Sequence, residues 1–312
     1  MRVIIVNILI SLLIMACGDD GGGGSGSPKP DDPADQGDAG DDKPGDEPGD
    51  KPNDNPDDEP NDDGTDFDPD ADLVMLAFGD SITAGLNIDS FLSESEEKNW
   101  ATGDKVSYSH LSRFQLDLEV SSIAVENVAV SGATTAGLEE QLQNVTTTRA
   151  HYATVLTGAN DVCSWPANHA SALESYKDRV TDLVDGLQQK FADISILLVS
   201  TPDLNQLYEL KKDESSCRQI WAFAGGCQLL LGANASASDR EAFHDRWEDM
   251  NEALSEVATA SGENVKYTDK VAKSVLTVDD ISTIDCFHPS ETGQKRIAEE
   301  SWDATFGAQV LE

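Results

Sequence analysis

Near the C-terminus, Asp285-Cys286-Phe287-His288-Pro289 sets a carboxylate three residues before an imidazole, close enough to accept the Nδ1 proton. That hydrogen bond fixes the tautomer and leaves Nε2 free to take a proton from a hydroxyl. A serine needs such a base, because its hydroxyl is a poor nucleophile alone. The candidate is Ser81, in Gly79-Asp80-Ser81-Ile82-Thr83, directly after the apolar run Leu73 to Phe78. A turn at a strand end exposes a hydroxyl there without stranding its backbone. Activity of such a set requires neutral His288, so the rate should fall as the imidazole protonates. Taken singly, each piece has a plainer reading: Gly-Asp-Ser is a common turn or helix cap, and Asp285 and His288 are loop neighbours.

Acyl transfer also needs donors aimed at the oxyanion of a tetrahedral intermediate. In Asn127-Val128-Ala129-Val130-Ser131-Gly132, a glycine after a strand lets a backbone N–H approach a reacting carbon. In Gly158-Ala159-Asn160-Asp161, the Asn160 amide can donate from its NH₂. A strand-ending glycine and an Asn-Asp turn are the structural alternatives.

These segments need a frame that brings strand ends together. Apolar, β-branched runs alternate with stretches at helical spacing, the pattern of a parallel sheet covered on both faces. Strands are predicted at Leu73 to Phe78, Ile123 to Val130, Ala153 to Thr157, Ile194 to Ser200 and Val265 to Thr268. Helices are predicted around His110 to Leu118, Thr135 to Gln143, Ala170 to Phe191, Arg240 to Ala260 and Glu291 to Phe306. Ser290 stands where a hydroxyl would cap the last of them. In open parallel sheets ligands bind at the carboxyl ends of the strands, where the polar segments above all fall.

Read together and in order, Gly79-Asp80-Ser81, Gly132, Gly158-x-Asn160-Asp161 and Asp285-x-x-His288 resemble the blocks of the SGNH/GDSL hydrolase superfamily of esterases and lipases. The resemblance covers nearly the whole folded part. It implies a flavodoxin-like three-layer α/β/α fold with a five-stranded parallel sheet. It also implies Ser81 as nucleophile, His288 as general base and acid, Asp285 as its orienter, and an oxyanion hole from the Ser81 and Gly132 N–H groups and the Asn160 side chain. No metal or organic cofactor is implied. The cysteines beside two blocks, Cys163 and Cys286, look like the phospholipase-B-like and bacterial lipase-like branches, which raises lipid, phospholipid or short acyl esters over carbohydrate O-acetyl esters. A non-catalytic surface binding module that retains the fold is the alternative of another class. No Gly-x-Ser-x-Gly elbow is present, which disfavours the α/β-hydrolase family.

The N-terminus reads as an export signal: Arg2, an apolar run from Val3 to Met15 too short to span a bilayer, then Ala16. Cleavage before Cys17 resembles the bacterial lipoprotein pattern, with lipid attached to that cysteine. Gly18, rather than Asp, follows it, which resembles the outer-membrane-directed pattern and places the protein in the cell envelope. Residues 17–72 are rich in Asp, Gly and Pro and poor in apolar groups, so they read as a tether with an r.m.s. span of roughly 40 Å. Asp66, Asp68, Asp70 and Asp72 alternate as calcium ligands can, but lack the Gly and closing Glu of an EF-hand loop; a solvated acidic linker is the better reading. Residues 73–312 suffice for one domain. A net charge of −38 argues against a nucleic-acid partner. The membrane, through the anchor, and an ester substrate are the expected partners.

Besides Cys17, the chain has Cys163, Cys217, Cys227 and Cys286, an even set that favours two disulfides in an exported protein. Of the three connectivities, Cys163 with Cys286 is favoured, because both flank the proposed site; Cys217 and Cys227 would then close a local loop. The long connection from Pro202 to about Asp239 is unusually apolar, with Ile220-Trp221-Ala222-Phe223 and Leu229-Leu230-Leu231. It is either a small helical excursion packed on the body or an acyl-chain surface or lid beside Ser81, with Trp165 opposite.

Overall fold

The computed structural model describes residues 68–311 except 69 and 167. The signal segment, Cys17 and its lipid, most of the tether and Asp66 lie outside the described residues. Five parallel strands form one sheet in the order β2-β1-β3-β4-β5. They are β1 (Leu73–Gly79), β2 (Ile123–Asn127), β3 (Tyr152–Leu156), β4 (Ser195–Val199) and β5 (Val265–Thr268). Between them run α1 (Ser81–Ala84), α2 (His110–Asp117), α3 (Leu138–Asn144), α4 (Ala159–Ser164) and α5 (Ala170–Lys190). After β4 come α6 (Leu204–Lys211), α7 (Ser215–Ala224), α8 (Gln228–Leu231) and α9 (Ala237–Ala260); after β5, α10 (Lys270–Lys273) and α11 (Glu291–Trp302). Among the described residues no helix is long and apolar enough to cross a membrane.

All residues of β1, β3 and β4 are buried, which is why these strands read in the sequence as unbroken apolar runs rather than alternations. Side chains still alternate between faces. Val74, Leu76 and Phe78 pack with Leu138 of α3, Val180 and Leu187 of α5, and Phe243 and Leu254 of α9. Leu73, Met75 and Ala77 face the other way, onto Leu111 and Phe114 of α2, Val271 of α10 and Ile297 of α11. Two helical layers thus cover one sheet, as the expected α/β/α fold requires. Strand β2 stops at Asn127, three residues short of its predicted end, because Asn127 turns its own chain: its Oδ1 accepts the Ala129 N–H and its Nδ2 donates to the Thr83 carbonyl. The folded body also starts before Leu73. Ala71 is buried, and Asp72 bonds Ser122 and Ser121 through its N–H and carboxylate. The Asp68 carboxylate accepts the Asp70 N–H, so two of the alternating acids engage the chain itself.

The cysteines pair as Cys163–Cys227 and Cys217–Cys286, not as expected. Each site-flanking cysteine is joined to the 202–239 connection instead of to its counterpart. The reason is that this connection is a run of helices packed into the core, and it carries Cys217 to the His288 loop and Cys227 to α4. Replacing both Cys217 and Cys286 by Ser releases a loop of 69 residues and is expected to cost about 4 kcal/mol of unfolding free energy. Urea titration against the parent checks this; coincident curves would show that the bond adds no stability.

Candidate active site

The site forms where β1 and β3 lie side by side and the chain departs from them in different directions, the switch point at which open α/β sheets bind ligands. Gly79 ends β1 at φ +150°, and a Cβ there would stand 2.2 Å from the Leu156 carbonyl oxygen. Only glycine allows β1 to end this close to β3. Asp80 follows as N-cap of α1, its Oδ1 accepting the Ile82 N–H at 2.9 Å. Burial pushes the Asp80 carboxyl up to about 7. Ser81 is the first residue of α1, so its N–H has no partner within the helix.

Two glutamines hold this turn from opposite sides. Gln141 of α3 accepts the Gly79 N–H at 3.0 Å and donates to the Gly79 carbonyl at 2.8 Å, standing in for a neighbouring strand. Gln294 of α11 donates to the Ile82 carbonyl at 2.9 Å and accepts the Trp100 N–H at 3.0 Å. Both side chains are buried, so neither bond competes with water.

His288 Nε2 lies 2.8 Å from Ser81 Oγ, and its Nδ1 lies 2.5 Å from Asp285 Oδ2. The Asp285 carboxylate accepts four hydrogen bonds. Oδ1 takes the Phe287 and His288 N–H groups at 2.9 and 3.0 Å; Oδ2 takes His288 and the Asn87 amide, the latter at 2.6 Å. Burial pushes this carboxyl up, but the His288 bond and charge, Asn87 and the Phe287 N–H together outweigh it and hold it below its usual value. Cys286, between the pair, adopts left-handed backbone at φ +57°. Its carbonyl accepts the Trp221 indole N–H at 3.1 Å and its sulfur is bonded to Cys217, so α7 braces the loop twice.

Gly158 carries the second strand-end glycine requirement, with φ +122° and a would-be Cβ 2.4 Å from Met250 Sδ. It admits the sharp entry into α4, whose second residue is Asn160. The Asn160 amide donates one bond to the Ala133 carbonyl at 2.9 Å, leaving its second N–H for another acceptor. Asp161 accepts the Thr135 N–H and hydroxyl at 2.9 and 2.7 Å. Together these residues fasten the 131–135 loop beside the site. Gly132 sits on that loop at φ +80°, exposed, with open space where a Cβ would be, and among the described residues its N–H donates to no group. Ser81, Asn160 and His288 border one cavity; Gly132 adjoins it through the Asn160 bond without lining it.

Of the apolar residues in the 202–239 connection, Trp221, Leu230 and Leu231 are buried in the core and Phe223 is 87% exposed. None of these lines the cavity, and neither does Trp165, which stacks on His169. These residues are therefore not a lid over Ser81, and all but Phe223 pack on the body. The connection's N-terminal helix α6 does reach the site, with Leu204 and Leu207 on the cavity wall.

Asn87 has no counterpart in the sequence reading. It is buried, at φ +59°, and is held on three further sides: its N–H donates to the Ser93 carbonyl, its Oδ1 accepts the Leu92 N–H, and its carbonyl accepts the Ser282 hydroxyl. Asn87→Asp keeps shape, backbone preference and the Leu92 bond but replaces a donor with a carboxylate beside Asp285. We expect kcat to fall about tenfold or more at neutral pH with KM nearly unchanged, the deficit shrinking as pH falls and the added carboxyl regains a proton to donate. A pH-independent deficit in kcat/KM would contradict this.

The model of the GDSL-like lipase/acylhydrolase family matches residues 77–296. No curated protein sequence matches the chain. Among solved structures, the extracellular lipase from Streptomyces rimosus is 16% identical, with 75% of this chain and 100% of that chain covered and a TM-score of 0.45. Phospholipase A1 from Streptomyces albidoflavus NA297 is 16% identical, with 75% and 99% covered and a TM-score of 0.47. A variant of Axe2, an acetyl xylan esterase from Geobacillus stearothermophilus, is 15% identical, with 75% and 95% covered and a TM-score of 0.45.

Proposed function

The chain belongs to the GDSL-like lipase/acylhydrolase family of ester hydrolases, and from that premise we propose that it cleaves carboxylic esters through an acyl-enzyme on Ser81. The observation that carries this reading is the unbroken hydrogen-bond chain from Ser81 Oγ through His288 to Asp285. Ser81 Oγ attacks the ester carbonyl carbon while its proton passes to His288 Nε2. The bond to the alcohol oxygen then breaks, and the alcohol leaves with that proton. Water, giving a proton to the same Nε2, attacks the acyl carbon, and the acid departs as Ser81 recovers its hydrogen. Asp285 holds Nδ1 protonated throughout and offsets the charge on the imidazolium.

The Ser81 and Gly132 N–H groups and the second Asn160 N–H are the donors for the oxyanion. Asn160→Ala is expected to lower kcat on the order of 100-fold with KM changed much less. A loss confined to KM would make Asn160 a binding residue instead. The leader ending at Ala16 and Cys17 supports an exported, lipid-anchored enzyme of the cell envelope, a reading that rests on sequence alone.

The test of the whole reading is a pre-steady-state assay of the full chain with p-nitrophenyl acetate, followed by labelling with an alkyl fluorophosphonate. A burst of p-nitrophenol approaching one per chain, and a phosphonyl group recovered on the Ser81 peptide with loss of fluoride, are expected. Label on another residue, or none, would overturn it.

A further inference from the structure

Apart from Ser81, Asn160, His288 and Asp280, the cavity beside Ser81 is lined by apolar residues. Beside Ser81, Asn160 and His288, its lining includes Leu204 and Leu207 of α6, Leu276 and Phe287. Gly293 and Ile297 of α11 also line it. Its volume is about 40 Å³. On that measure a water-sized group needs roughly 10–15 Å³, so the space admits about three such groups.

The two walls cannot readily part. Gln206 of α6 donates from Nε2 to the Ser274 carbonyl and accepts the Leu276 N–H through Oε1, both at 3.0 Å, a reciprocal clamp between α6 and the segment that carries Leu276. The α11 side is equally fixed: a Cβ on Gly293 would stand 2.2 Å from the Asp280 carbonyl oxygen, so α11 already lies in backbone contact with the 280 segment.

We infer that this cavity is an acyl pocket for short, unbranched chains, and that Leu276 sets its length limit, so that the enzyme prefers acetyl to butyryl esters over long-chain ones. This rests on the proposed role of Ser81, whose bound carbonyl carbon would sit at the mouth. About three carbon-sized groups then remain inside, which corresponds to a butyryl tail. A longer tail must leave the pocket and lie over Val275 and Val278, which are 75% and 47% exposed and enclose nothing. Each methylene that enters the pocket gains about fourfold in binding, and each that stays outside gains little.

The test is kcat/KM for p-nitrophenyl acetate, butyrate, octanoate and dodecanoate, below their aggregation limits, with the full chain and two variants of the partly exposed Leu276. The parent should be best on butyrate and about tenfold or more poorer on dodecanoate. Leu276→Ala should raise the octanoate-to-butyrate ratio about tenfold, and Leu276→Trp should lower the butyrate-to-acetate ratio by a similar factor. Dodecanoate hydrolysed as well as butyrate by the parent, or both variants shifting all four esters in proportion, would overturn the inference. A Ser81→Ala protein still active on acetate would instead overturn the reading on which it rests.

Discussion

Ser81→Ala should lower kcat by roughly a million-fold, with KM for p-nitrophenyl acetate little changed and the melting temperature the same as the parent's. Three observations lead to this. The Ser81 hydroxyl has one hydrogen-bond partner, His288 Nε2, so its loss strands no buried backbone group. Removing a single oxygen leaves the glutamine clamps on Gly79 and Ile82 intact, so the turn keeps its shape. The proposed oxyanion donors and the pocket also survive, and from these a residual rate above the uncatalysed one is expected. A variant keeping more than about one per cent of kcat would require a water attacking directly, activated by His288, and would remove the acyl-enzyme from the mechanism.

What could be read in advance depended on range. Strands β1, β3 and β4 were legible because burial on both faces favours apolar side chains at nearly every position, a local signal. Gly79 and Gly158 were legible only as members of the Gly79-Asp80-Ser81 and Gly158-x-Asn160-Asp161 blocks; the contacts that exclude a Cβ there are seen only in the fold. The Asp285 and His288 pair was legible because three residues suffice to bring carboxylate to imidazole. The supports are different in kind. Asn87 meets Asp285 across 198 residues, Gln294 meets Ile82 across 212, and Gln141 meets Gly79 across 62. A lone Asn or Gln has no periodicity to mark it, and its partner is a backbone group or a distant carboxylate, so only the folded chain reveals it.

The cysteine pairing failed for a related reason. The pairing was expected because Cys163 and Cys286 both flank the site; each is bonded, but to the 202–239 connection and not to the other. What the sequence did not convey is how the three helical pieces of the connection before α9 pack, and so that they carry Cys217 and Cys227 to the two loops. Trp221 shows the same thing: its segment read as either a packed excursion or a lid, and its buried indole, whose N–H holds the Cys286 carbonyl, belongs to the first.

Asp285→Asn should be nearly as damaging as loss of the nucleophile, with kcat down about ten-thousand-fold, and it should also destabilise the fold by about 3 kcal/mol. The four donors around Asp285 explain both effects. A carboxylate is acceptor-only and satisfies all of them; an amide has one accepting oxygen and one donating nitrogen. If its nitrogen turns toward Oδ2's place, it meets the donating Asn87 amide, and it can bond His288 only when Nδ1 is unprotonated. Nε2 then carries the proton and cannot take one from Ser81. If its nitrogen turns toward Oδ1's place, it opposes the Phe287 and His288 N–H groups that shape the loop. The pH dependence separates this from a simple packing loss. Because the folded carboxyl sits below its unperturbed 3.8, its charge stabilises the fold fully above that value, and this part is lost as pH falls through the lower folded pKa. The stability gap between parent and variant, read from urea midpoints, should therefore be constant from neutral pH down to about 4 and narrow below it. A gap unchanged down to strongly acid pH would show that the side chain's shape, rather than its charge, is what the loop requires.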